Sequence, residues 1–229
     1  MMRRLFVAGL ACLLGSGVLH AQAKRAPDVE FWDELDLSAR LMPKLTVTVP
    51  LVVRNSVSRS NPQLYGLGPL FDYAIAKHVT VTGGYLFVGL PHAGNGNDVH
   101  VPLAAITLKA KLSRLDASDR SRAEGLIGLP QNPIRYRNKL VLDVPLADGR
   151  WQPFASDEVF YDFSKSDWTQ NRFQAGIGHE LNARLRLDLF YLERNSRKSN
   201  PTATHALGTT LQIKLTPRTR REGLPHEEN

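Results

Sequence analysis

Cysteine is all but missing from this chain of 229 residues: one occurs, Cys12, near the N-terminus. A disulfide framework, a thiolate nucleophile and cysteine zinc sites are thereby excluded for the remainder of the chain. Helical periodicity is missing as well, for no window carries an apolar stripe at the three-and-four spacing of an amphipathic helix. Long apolar runs are confined to one, residues 5–18, which excludes a polytopic helical membrane protein. What is present is an apolar fraction of 42% with 22% charged residues, too much apolar material for a disordered chain.

The N-terminus has three parts in order: basic Arg3 and Arg4, the apolar run, and the small-residue triplet Ala21-Gln22-Ala23. That is the plan of a secretory signal peptide, because the run is too short to span a bilayer and a cleavage pattern follows it. The division expected is a signal peptide over 1–23, a β-barrel over 24–215 and a polar tail over 216–229. Cys12 falls in the removed part. The net charge is +7, and three of the basic residues, Arg218, Arg220 and Arg221, sit in the tail. Export makes nucleic acid an unsuitable partner for a basic chain, whereas outer-membrane lipid and lipopolysaccharide phosphate suit it.

From about residue 29 the pattern has a period of two. Leu45, Val47, Val49, Leu51 and Val53 share one face opposite Thr46, Thr48 and Arg54, while Leu185, Leu187, Leu189 and Tyr191 oppose Arg184, Arg186, Asp188 and Arg194. Successive strand residues point to opposite faces, so these are strands. Turn residues divide the chain into candidate strands at 29–40, 44–55, 62–75, 78–90, 98–112, 118–129, 133–146, 151–163, 169–181, 184–195 and 202–215. Short turns at Met42-Pro43, Ala76-Lys77, Ala147-Asp148-Gly149 and Asn182-Ala183 alternate with Gly/Asn/Ser/Pro-rich connections at 56–61, 91–97, 164–168 and 196–201. Alternating short and long connections between strands of about ten residues define an all-β, up-and-down antiparallel transmembrane β-barrel of 10–12 strands. Pro50, Pro69, Pro102 and Pro145 fall inside these segments, where each removes a ladder donor.

Alternation alone does not say which face is inside. A soluble barrel would bury the apolar face and carry an apolar ligand, whereas a membrane barrel turns it outward. Export, strand length and the strand-end aromatics Tyr65, Phe71, Tyr73, Tyr85, Phe87, Trp151 and Tyr191 favour the membrane arrangement.

Several short motifs bear on kinship: Asp157-Glu158-Val159-Phe160, Asn171-Arg172-Phe173, Tyr136-Arg137-Asn138, Leu192-Glu193-Arg194-Asn195 and Thr204-His205-Ala206-Leu207-Gly208. In order and spacing they resemble a family of uncharacterised Gram-negative proteins held to be outer-membrane β-barrels. The resemblance implies a barrel in the cell envelope and no particular activity. One departure is the last strand, which closes on Leu215 and a polar tail in place of a terminal aromatic residue.

With these strand phases, Arg120, Arg122, Glu124, Arg135, Arg137, Asp143, Glu158, Asp162, Arg172, Arg186, Asp188 and Arg194 share one interior. Charges in a narrow lumen must be paired or solvated, so this set is either a rigidifying ion-pair ladder or a selectivity lining for a small anionic solute. A lipid-modifying enzyme is the alternative. It would need a nucleophile beside a base, but His78, His92, His100, His179 and His205 accompany no Gly-x-Ser-x-Gly elbow. His92, His100 and Asp98 are weakly spaced for a metal, and Asp157 and Glu158 point to opposite faces. No catalytic, metal or cofactor residue is therefore assigned.

Overall fold

The computed structural model describes residues 28–57, 62–91, 97–146, 150–197 and 203–215. The expected signal peptide, the polar tail, the 147–149 turn and His92 lie outside them. Twelve strand segments occur: β1 (Asp28–Met42), β2 (Leu45–Ser56), β3 (Leu64–Leu67), β4 (Leu70–Ala76), β5 (Val79–Leu90), β6 (Asn97–Leu112), β7 (Leu115–Gly125), β8 (Ile134–Asp143), β9 (Trp151–Asp162), β10 (Asp167–Asn182), β11 (Leu185–Ser196) and β12 (Ala203–Lys214).

Neighbours in sequence are neighbours in the sheet, paired antiparallel from β5 to β12. Segments β3 and β4 both lie between β2 and β5, so they are two halves of one strand and the wall has eleven strand positions. The barrel closes where β1 runs parallel to β12, from Asp28 opposite Thr204 to Ser38 opposite Lys214. This corrects the expectation of a wholly antiparallel wall. When strands alternate in direction and their number is odd, the first and last point the same way, and closure has to be parallel.

The expected single strand over 62–75 is likewise broken, at Gly68-Pro69. A Cβ on Gly68 would collide with the Tyr85 carbonyl oxygen, and Pro69 has no N–H for the ladder. The other prolines sit at gaps of the same kind. Pro50 falls between Thr48, which pairs with Leu70, and Leu51, which pairs with Leu67, facing that break. Pro102 falls between Leu103, which pairs with Glu124, and His100, which bridges to Ile127. Pro145 follows the end of β8. Each missing donor is placed where no partner strand requires it.

Phase now decides inside from outside. Phe31, Leu51, Phe71, Tyr73, Leu108, Leu189 and Leu207 point away from the lumen, and several are about half exposed, Leu207 at 54% among them. Inward positions on the neighbouring residues carry Glu30, Trp32, Arg122, Glu124, Glu158 and Asp188, all buried. A soluble carrier would need the reverse arrangement. The strand-end aromatics line the outer wall, as a membrane barrel requires.

That outer wall also carries a few polar groups, each held by a neighbour. Asn138 Nδ2 donates to Asp119 at 2.8 Å, Asn171 Nδ2 donates to Asp157 at 2.7 Å, and Thr209 Oγ1 donates to Asp33 at 2.7 Å. An outward carboxylate that already accepts a hydrogen bond is less costly against an apolar surrounding than a bare one.

Two-residue turns at 43–44, 77–78, 113–114 and 183–184 mark one rim, while connections at 57–63, 91–96, 126–133 and 197–202 mark the other. The seam puts Asp28 at the long-connection rim and Leu215 at the short-turn rim. Epitopes placed in the 126–133 connection and directly before Asp28 should therefore be reached by antibody from one side of the membrane, and an epitope after Leu215 from the opposite side. Accessibility of both chain ends from one side would contradict the parallel seam.

Candidate functional site: an arginine-lined lumen

The interior is built around two carboxylates. Glu124 on β7 is 1% exposed and is ion-paired with three guanidinium groups: Arg122 Nη2 at 2.6 Å, Arg135 Nη2 at 2.5 Å and Arg137 Nη1 at 2.8 Å. Glu158 on β9 is 5% exposed and accepts from Arg137 Nη2 at 2.7 Å, with Arg120 and Arg172 each at 3.7 Å. Arg137 thus bridges the two, using the fork geometry that a lysine ammonium lacks. Register explains how four strands supply the group. Arg122 stands opposite Arg137, Glu124 opposite Arg135, and Glu158 opposite both Lys139 and Arg172. Like charges directly opposite repel, and the two glutamates are what let Arg122 and Arg137 share a row.

Aromatic rings supply the second layer of support. Phe160 points inward at 1% exposure, with Arg172 and Arg137 carbons 4.4 and 4.8 Å from its ring centroid. Across the lumen Trp32 lies under Arg54 at 3.8 Å, and Arg172 lies 5.0 Å from the same ring. Cations over ring faces are held by the ring quadrupole without being neutralised.

The other expected charges form separate groups. Arg186 Nε donates to Asp188 at 2.7 Å and contacts Gln152, with Asp143 3.9 Å away, toward the short-turn rim. Arg194 donates to Glu30 at 3.0 Å and to Thr204 at 2.9 Å beside the seam. Asp162 lies at the long-connection rim, accepting from Ser164 Oγ at 2.6 Å and pairing with Lys165 at 3.0 Å. Ten of the twelve charges therefore line the central cavity; Arg194 and Asp162 lie outside its lining.

Sequence reasoning did not select Arg54, Trp32, Glu34, Asp36 or Lys139, which also face the cavity. Their signal was available: Glu30, Trp32, Glu34 and Asp36 alternate with Val29, Phe31, Leu35 and Leu37. The cavity measures about 790 Å³ and runs from Leu90, Leu126 and Leu129 at one end to Asp143, Arg186 and Gln212 at the other. Its inner wall is divided by chemistry. Arginines crowd β7 to β10, acids stand on β1, and β5 and β6 present Leu86, Val88, Val99, Val101 and Leu103.

His100, His179 and His205 lie apart from one another on the outside. His100 hydrogen-bonds Tyr85, His205 hydrogen-bonds Tyr191 at 2.5 Å, and His179 stacks on Trp151 at 3.9 Å. Among the described residues no cluster of three metal-ligating side chains occurs.

The comparisons give a family and a barrel fold. The family model for proteins of unknown function DUF2490 matches residues 29–205, and the chain belongs to that family. Among solved structures, the NanC porin in a rhombohedral crystal form superimposes with a TM-score of 0.52 at 12% identity. The match covers 83% of this chain and 100% of that one. No curated protein matches the chain.

Removing one member of a buried ion pair strands its partners, at a cost of about 3–5 kcal/mol, whereas loosely paired charges contribute about 1 kcal/mol or less. Glu158→Gln should lower the stability of the lipid-embedded barrel by the larger amount in urea unfolding, and Asp143→Asn by no more than the smaller. Equal effects would mean that the Glu158 network is not what holds β7 to β10.

Proposed function

We propose that the protein is a non-enzymatic outer-membrane barrel of a Gram-negative bacterium, exported by a signal peptide cleaved after Ala23, that passes small organic anions through an arginine-lined lumen. The carrying observation is an imbalance inside an open space. Five guanidinium groups, those of Arg120, Arg122, Arg135, Arg137 and Arg172, gather around two carboxylates, Glu124 and Glu158, on one side of a cavity that extends toward both rims, while the other acids of the lining stand apart, Glu34 and Asp36 on β1, Asp72 on β4, and Asp143 and Asp188 beside Arg186. Two acids do not neutralise five bases, so the β7–β10 face keeps an excess of positive charge, and in a low-dielectric wall that face favours an anion. Pairing holds the side chains in place and leaves charge to spare, so the rigid ladder and the selectivity lining are one structure.

Several features support the non-enzymatic part. His100, His179 and His205 face outward and sit against aromatic rings, away from the arginine cluster. The envelope location is supported by the N-terminal plan of the sequence together with an apolar outer wall. Lipid and lipopolysaccharide are then the surroundings of the barrel.

In planar bilayers the purified full-length mature protein should give a chloride-preferring conductance. Arg137→Gln combined with Arg172→Gln should shift the reversal potential toward cations. A barrel that inserts but carries no current, or whose ion preference ignores both substitutions, would overturn the proposal.

A further inference from the structure

The lumen is amphipathic, and the division between its two sectors is sharp. On β5 and β6 the inward positions are Leu86, Val88, Leu90, Val99, Val101 and Leu103, and Leu126 and Leu129 pack onto them from the connection after β7. Val99 and Val101 are 3% and 4% exposed, yet both face the cavity. An aqueous passage for simple inorganic ions has no use for a continuous aliphatic wall, since such a wall gives an ion nothing to replace its hydration.

The flanks of that wall are cationic. Leu64 at one edge pairs directly with Arg54, and Ala105 and Leu103 at the other edge pair with Arg122 and Glu124. Arg54 and Arg122 are also the two arginines whose Nε atoms are buried with no hydrogen-bond acceptor among the described residues. Arg122 as a whole is 7% exposed. A buried guanidinium donor without an acceptor is costly, and both such donors sit at the borders of the same aliphatic surface and line the same cavity. The acidic groups of β1 and the glutamates of β7 and β9 leave these two Nε atoms unused.

We propose that the lumen selects anions that carry an apolar body: an aliphatic or aromatic carboxylate, sulfonate or phosphate whose charged group takes the free donors of Arg122 and Arg54 while its body lies on the β5–β6 wall. This rests on the anion-passage reading and narrows it from any small organic anion to an amphiphilic one. The two parts of such a ligand meet two needs of the lumen at once. Its acidic oxygens supply the missing acceptors, and its hydrocarbon displaces water from side chains that gain nothing from it.

The probes are benzenesulfonate and methanesulfonate, which share a permanently ionised head and differ only in the body. Binding to the full-length mature barrel in lipid nanodiscs is measured by equilibrium dialysis against empty nanodiscs, and chloride conductance is measured on the same purified protein in planar bilayers. Benzenesulfonate should bind about tenfold or more tighter than methanesulfonate, the ratio expected for burying a ring on an aliphatic wall. Val101→Asn with Leu103→Asn should bring the two within about twofold of each other. Arg122→Gln should weaken both alike. The ratio in the unsubstituted protein decides the matter even if a variant fails to fold. Equal affinities with chloride current intact would overturn the amphiphile proposal and leave the passage standing. Preferential binding of benzenesulfonate with no current would support the site and overturn the passage.

Discussion

The burial of Glu124 and Glu158 among arginines is the interaction on which the rest of the molecule depends. A carboxylate at 1% exposure survives only with partners of opposite charge around it, and here those partners come from β7, β8 and β10, three of the four strands that with β9 make up the group. Because strand residues alternate, fixing these charges inward fixes Tyr136, Leu140, Val159, Tyr161 and Phe173 outward. A slip of one residue in β7, β8 or β10 would drive an arginine through the apolar wall, and in β9 it would drive Glu158 through it. The ion network therefore sets register, and register makes the exterior apolar.

Closure is the second constraint, and it is solved differently on each side of the sheet. Eleven alternating strand positions leave the first and last pointing the same way, and the β1–β12 seam accepts this with a parallel ladder of eleven paired residues. The proline positions show similar accommodation. Pro50 and Pro69 share one interruption of the wall and Pro102 sits at another, so the ladder is broken in few places. The β3 to β6 sector is consequently less regular than β7 to β12, and it is also the sector whose inner face is aliphatic.

How much of this was legible in the sequence follows from where the period of two is clean. In Arg135-Tyr136-Arg137 of β8 and Leu185-Arg186-Leu187-Asp188-Leu189 of β11 charged and apolar residues alternate, so the phases there and the inward set around Arg137 could be read directly, and the same period separates Asp157 from Glu158. In β5 and β6 both faces are apolar: Leu86 and Val88 point in while Tyr85 and Phe87 point out, and alternation carries no information there. The aliphatic wall was invisible for that reason. The parallel seam was hidden for another, since pairing between the two ends of the chain depends on the parity of the strand count, and an uncertainty of one strand reverses it. Pro69 hinted at the break in the third strand, but the collision that requires glycine beside it involves Tyr85, a contact made only once the sheet has formed.

The central claim is that charge is inside and hydrocarbon outside, in a barrel that lives in a membrane. The direct test is to express the chain with its N-terminal segment, fractionate the envelope, and compare boiled with unboiled samples on a denaturing gel. The structure predicts release from the outer membrane only by detergent and a change of mobility on heating, as the ion-locked barrel opens. Recovery in the soluble periplasm without detergent, with one mobility before and after boiling, would contradict it.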